Sequence, residues 1–212
     1  MLKTERMDRV RAALRAQGLT QMIVCDPKSV WYLTGVAVEP YERLLALYLP
    51  PEGEPVLFLN RLFNVPEPPC RTVWHTDTDK PVAQIAEVVD AGKPLGIDKE
   101  WPAKFLIPLM ETHPGMQVVL SSDCVDDCRA CKDAEEQTLM REASRINDAV
   151  NEAAKHYIKA GMTEREVAEF IDAQFRAHGC EVYDDCLLWC QRRRPAPRAG
   201  RHRVKRGRLR AV

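Results

Sequence analysis

Three cysteines in the middle of the chain, Cys124, Cys128 and Cys131, stand at C-x3-C-x2-C spacing, with which thiolates hold an iron–sulfur cluster in radical enzymes that use S-adenosylmethionine. Their surroundings speak against that chemistry. The stretch SSDCVDDCRACKDAEEQ crowds the cysteines with aspartates, disfavouring a net-negative cluster, and places the last of them at the entrance to a helix. The barrel of strands and helices that such enzymes require does not follow. Zinc would need a fourth ligand, and none is evident. His75, His113, His156 and His178 lie in expected loops and helix ends without the i, i+4 pairing or acidic neighbours of a metal pair, so they read as surface residues. No catalytic residue and no metal ligand is assigned from these groups.

The other concentration of chemistry is charge. Residues 190–212 hold ten of the chain's 31 Lys and Arg side chains and no Asp or Glu, leaving 21 basic against 31 acidic residues before them. A nucleic-acid arm would need such clustered positive charge to release counterions from phosphates. This run has no interleaved aromatics and no fold to present it, so no specific nucleic-acid partner is expected. It reads as a disordered basic tail.

The 212 residues, 45% of them hydrophobic, suffice for one good core or two small ones. No apolar run reaches the ~18 residues of a membrane span, and the charged start MLKTERMDRVRAALRAQGL lacks a signal peptide's apolar centre. A cytoplasmic protein without membrane association is expected, with its eight cysteines as free thiols.

Apolar spacing predicts a helix over residues 4–17, with Thr4 as N-cap and Gly18 as stop. QMIVCD reads as a strand, DPKSVWYLTG as a turn and an aromatic stretch, and LLALYLP and PVLFLN as strands joined by a PPEGEP turn. VAQIAEVVDAG and FLIPLMETHPG read as helices, LGIDK and MQVVLSS as strands. This alternation implies a mixed sheet with helices packed on it. From Ala134 to Lys159 a long amphipathic helix is expected, with Leu139, Ile146, Val150, Ala154 and Tyr157 on or near one face and Gly161 closing it. Thr163 and Glu166 form a capping box that opens a further helix, closed by Gly179. Two such helices need a sheet that the remaining residues scarcely supply.

RMDRVRAALRAQGLTQMIVCDPKSVWYLTG resembles the opening of the N-terminal domain of the creatinase and Xaa-Pro peptidase family, the prolidases and aminopeptidases P. RACKDAEEQTLMREASRINDAV and GMTEREVAEFIDAQFRAHG resemble the first two helices of that family's pita-bread catalytic domain. The resemblance implies an α/β chain in three parts. Residues 1–130 would form a creatinase-type N-terminal domain of mixed sheet and flanking helices, 131–188 the start of an incomplete α+β pita-bread domain, and 189–212 the tail.

In the family the second helix leads to a loop of the type G-x-N-A-x-x-P-H-H, where this chain has its arginines. Reading each codon from its second base forces glycine at Trp189 and permits GANAADPHH over residues 189–197, then EPDDTVL and EGDCVLF. The expectation is a one-base slip of frame between about Tyr183 and Trp189.

The resemblance further implies cleavage before proline by two divalent metals (manganese, cobalt or zinc), held by two aspartates, a histidine and two glutamates that activate a bridging hydroxide. None of those five is assigned within residues 1–212, so the chain itself is expected to be inactive and cofactor-free. Proline-containing peptides and a homodimer are expected for the longer parent. In dimeric relatives the stretch after YLTG reaches toward the partner's active site, which makes Tyr41 and Arg43 expected substrate-side contacts, Arg43 being suited to a carboxylate. A non-catalytic creatinase-like binding protein with a polyanion-binding tail, and a fragment of a creatinase-type amidinohydrolase, are the alternatives.

Overall fold

The short apolar runs become strands because both of their faces are covered. In the computed structural model, which describes residues 2–180, β1 (Gln21–Val24), β2 (Ala46–Leu49) and β3 (Val56–Asn60) are buried at every position. Continuous rather than alternating hydrophobicity is the mark of such strands. With β4 (Arg71–His75), β5 (Leu95–Ile97) and β6 (Val118–Leu120) they form one sheet in the order β4-β3-β2-β1-β5-β6. β1 pairs antiparallel with β2, and β2 with β3; the pairs β3–β4, β1–β5 and β5–β6 are parallel. The sheet is therefore mixed, as expected.

Alternate residues of each strand serve opposite cores. Met22, Val24, Leu47, Leu49, Leu57 and Leu59 pack beneath α1 (Thr4–Ala16), α2 (Pro27–Thr34) and α5 (Asp123–Ala130). Ile23, Ala46, Tyr48, Val56, Phe58 and Ile97 pack beneath α3 (Pro81–Ala86) and α4 (Ala103–Thr112).

Several local expectations are corrected. DPKSVWYLT is no turn but the capped helix α2: Asp26 accepts from the Ser29 amide, Pro27 takes the first helical position, and Gly35 ends the helix with φ of 77°. Tyr32 is buried, while its neighbour Trp31 lies exposed on the helix's outer side. Helix α1 contains Thr4, and Lys3 precedes it without a side-chain cap. Strand β4 and helix α5 were not anticipated.

The chain divides into two compact units, the first ending at Lys132 and the second beginning at Asp133. In the second, α6 (Ala134–Tyr157) opens with a capping box of Asp133 and Glu136, and α7 (Glu164–Ala177) with the expected box of Thr163 and Glu166. Tyr157 and Phe170 stack with ring centroids 3.8 Å apart. Val150 and Ala154 are buried in α6, but Leu139, expected on its apolar face, is exposed, and no residue of α7 is buried. The basic tail and the proposed slip of frame lie outside the described residues. No helix among those described is long and apolar enough to cross a membrane.

Gly96 on β5 is closely surrounded: a Cβ there would lie 2.5 Å from Ser121 Oγ and 3.2 Å from the Gln21 carbonyl. Gly96→Ala is expected to cost about 1–3 kcal/mol in urea unfolding. Gly92→Ala, which meets only the Asp90 side chain at 3.2 Å, should cost less; equal stability of the two variants would contradict this packing.

Candidate functional site

Strand β1 connects through α2 toward β2 on one side of it, and β5 connects through α4 to β6 on the other. The carboxyl ends of β1 and β5 thus flank a topological switch point, where open α/β sheets hold ligands. A crevice of about 200 Å³ lies there, lined among others by Asp26, Asp98, Lys99, Ser122, Asp126 and Arg129.

The chain's own carboxylates fill its chemistry. Asp98, 5% exposed, accepts from the amides of Cys25 (2.5 Å), Asp26 (2.8 Å) and Glu100 (3.0 Å) and from the Cys25 thiol (2.9 Å). Asp26 accepts from the Ser29 amide and hydroxyl and pairs with Arg129 at 3.1 Å. Burial alone would raise the Asp26 carboxyl, but the Ser29 bonds and the nearby guanidinium outweigh it and hold it below the usual carboxylate range. Asp126 bridges Lys99 (2.5 Å) and Arg129 (3.7 Å). Cations and carboxylates are paired with each other here, so the crevice works as a clamp that ties α5 to the turns after β1 and β5.

The second polar concentration surrounds Arg43. Its guanidinium forms a two-pronged bond to Asp77, both distances 2.9 Å, and pairs with Glu42 at 3.1 Å. Behind it lie Asn60 and His75, 1% and 2% exposed. His75 was expected at the surface; it ends β4, and its Nε2 meets the Leu44 carbonyl at 3.1 Å. These residues line a pocket of about 270 Å³ with Thr76, Asp79 and Phe105. Tyr41 is 79% exposed with φ of 49°, a conformation that non-glycine residues rarely hold. Tyr41 and Arg43 thus share one short loop, but the Arg43 charge is already matched by Asp77. Sequence reasoning missed Asn60, His75, Asp77 and Asp98; a polar residue ending a wholly apolar strand, as in VLFLN and LGID, was the available signal.

The cysteine triplet dissolves as a unit. Cys124 and Cys128 lie on α5, with Cys124 buried, and the exposed Cys131 caps that helix at its exit, two residues before the Asp133 N-cap of α6. Among the described residues no three His, Cys, Asp or Glu side chains are grouped to hold a metal. His113 meets the Ala86 carbonyl at 3.0 Å, and the exposed His156 pairs with Glu152. The described residues therefore do not fit a dinuclear metal centre.

The first unit is a two-sided mixed sheet whose switch-point crevice holds internal ion pairs, and the second contains a helical hairpin. Residues 6–131 match the Creatinase/Prolidase N-terminal domain, and residues 138–205 match Metallopeptidase family M24. The chain belongs to the creatinase/prolidase family. It is 29% identical over 177 residues to the probable dipeptidase PepE of Mycobacterium tuberculosis, covering 79% of this chain and 47% of that protein. The crystal structure of dipeptidase PepE from Mycobacterium ulcerans superposes with a TM-score of 0.71 at 27% identity, over 82% of this chain and 49% of that one. A dipeptidase from Pyrococcus horikoshii gives 0.69 at 26%, over 82% and 50%. The chain spans about half the length of these relatives.

Burial, with Asp98 next to it, pushes the Cys25 thiol far above its ordinary range, and burial pushes Cys124 up to about 11. Maleimide labelling of the native chain at neutral pH is expected to modify Cys131 well before Cys25 and Cys124. Asp98→Ala, which strands three amides, should destabilise the fold by on the order of 3 kcal/mol and bring Cys25 labelling forward. Rapid modification of Cys25 in the unaltered native chain would contradict the assignment.

Proposed function

We propose that this chain is the N-terminal portion of a metal-dependent Xaa-Pro peptidase of prolidase or aminopeptidase P type, acting in the cytoplasm as a homodimer on proline-containing peptides. The observation that carries this reading is the succession of two family matches, a Creatinase/Prolidase N-terminal domain followed by a Metallopeptidase family M24 match, in a chain that spans about half the length of its relatives. Residues 1–130 are the N-terminal domain in this reading, 131–188 the opening of the catalytic domain, and 189–212 a basic run read out of frame. The two divalent metals, manganese, cobalt or zinc, would be held by residues other than those described, so no catalytic step is assigned to this chain.

What the described residues contribute is position. Asp77 holds the Arg43 side chain, and Arg43 in turn fixes the loop that presents Tyr41. This favours Tyr41, with its free and exposed ring, as the substrate-side contact of the assembled enzyme, with Arg43 setting its place.

The test begins at the locus. Restoring one base near the codons for Asp185 to Trp189 should open a frame that runs through GANAADPHH into D-x-G and H-G-x-G-H motifs. Its product, supplied with manganese, should hydrolyse Xaa-Pro dipeptides, and Tyr41→Ala in that product should raise KM more than it lowers kcat. A stop codon soon after the correction, or a soluble full-length product with no hydrolase activity, would end the proposal. An unaltered KM in Tyr41→Ala would remove the loop from it.

A further inference from the structure

The hydrogen bonds behind the Arg43 loop admit one arrangement of protons. The Leu44 carbonyl can only accept, so Nε2 of His75 carries the hydrogen and Nδ1 presents a lone pair. Opposite Nδ1, at 3.4 Å, stands Nδ2 of Asn60. The Asn60 amide is oriented by its other partners: Oδ1 accepts from the Leu62 amide at 2.9 Å, and Nδ2 donates to Asp77 Oδ1 at 2.8 Å. That same Asp77 oxygen receives Nε of Arg43, while the other receives its Nη2. The network is complete only when His75 is neutral.

We propose that His75 is a proton-operated latch for residues 39–43: a proton taken up at Nδ1 sets two donors face to face, turns the Asn60 amide, and thereby loosens the hold of Asp77 on Arg43. A turned amide would bring its oxygen toward the Asp77 carboxylate and its nitrogen toward the Leu62 N–H, so the disturbance reaches both the end of β3 and the loop. The loop is built to respond, because Tyr41 sits at positive φ and the Arg43 amide closes a tight turn on the Pro40 carbonyl.

Charged groups reach the surroundings of His75 from several elements. Asp77 and Asp79 follow it on its own strand's exit; Arg61 follows β3 and donates its amide to the His75 carbonyl; Glu42 and Arg43 come from the loop; and Lys104 of α4 donates to the Glu42 carbonyl. The Arg43 hydrogen bond holds Asp77 below the usual carboxylate range, and the Thr76 hydroxyl and amide do the same for Asp79. Both therefore stay ionised below neutral pH.

The experiment is an NMR titration of the isotopically labelled full chain from pH 8 to 5. It follows the His75 ring nitrogens, the Asn60 side-chain amide, the Leu62, Tyr41 and Arg43 backbone amides and Arg43 Nε. A single shared midpoint is expected, with the loop shifts abolished in His75→Gln and the His75 titration retained in Asp77→Asn. Should His75→Gln fail to fold, coincidence of midpoints in the unaltered chain decides. A His75 that does not titrate in this window, one that titrates without moving Asn60 and Arg43, or loop shifts that persist in His75→Gln would each overturn the latch.

Discussion

One buried carboxylate organises the first unit. The parallel strands β1 and β5 end side by side, and the backbone amides just beyond them, at Cys25, Asp26 and Glu100, turn toward the buried Asp98 carboxylate. Unpaired, each would cost free energy comparable to a lost hydrogen bond. Asp98 collects the amides of Cys25, Asp26 and Glu100 on its two oxygens, and so fixes the angle at which the chain leaves both strands. From that point Asp26 caps α2, and the α2 cap anchors Arg129. The orientation of α5, the last helix before the second unit, follows from this sequence of contacts.

This arrangement explains how a fold with a ready crevice becomes a scaffold. In many α/β sheets the switch point receives a ligand's anion; here Asp126 and Asp26 occupy the positions facing Lys99 and Arg129. The ends of β3 and β4 bring a second polar group, Asn60 and His75, behind a loop with an exposed tyrosine.

The sheet was legible because strands buried on both faces show as unbroken apolar runs, and the α7 start because a capping box is a local signal complete in the sequence. Helix α2 was hidden by its aromatics, although Asp26, Pro27 and Gly35 mark its two ends. Strand β4 was hidden by the proline-rich stretch before it and by its own polar residues, which belong to a sheet edge. The burial of His75 was not readable at all, since it depends on pairing with β3 and on a carbonyl 31 residues away. The Cys124 triplet shows the converse, a local spacing suggestive of a cluster that a helix separates into one buried, one half-buried and one exposed thiol.

In the proposed peptidase the metal ligands lie outside the described residues, which hold no grouped set of metal-binding side chains. Calorimetric titration of the purified 212-residue chain with manganese, followed by metal analysis after gel filtration, tests this most directly. The account predicts no saturable binding and no retained manganese. Two equivalents retained per chain would contradict it.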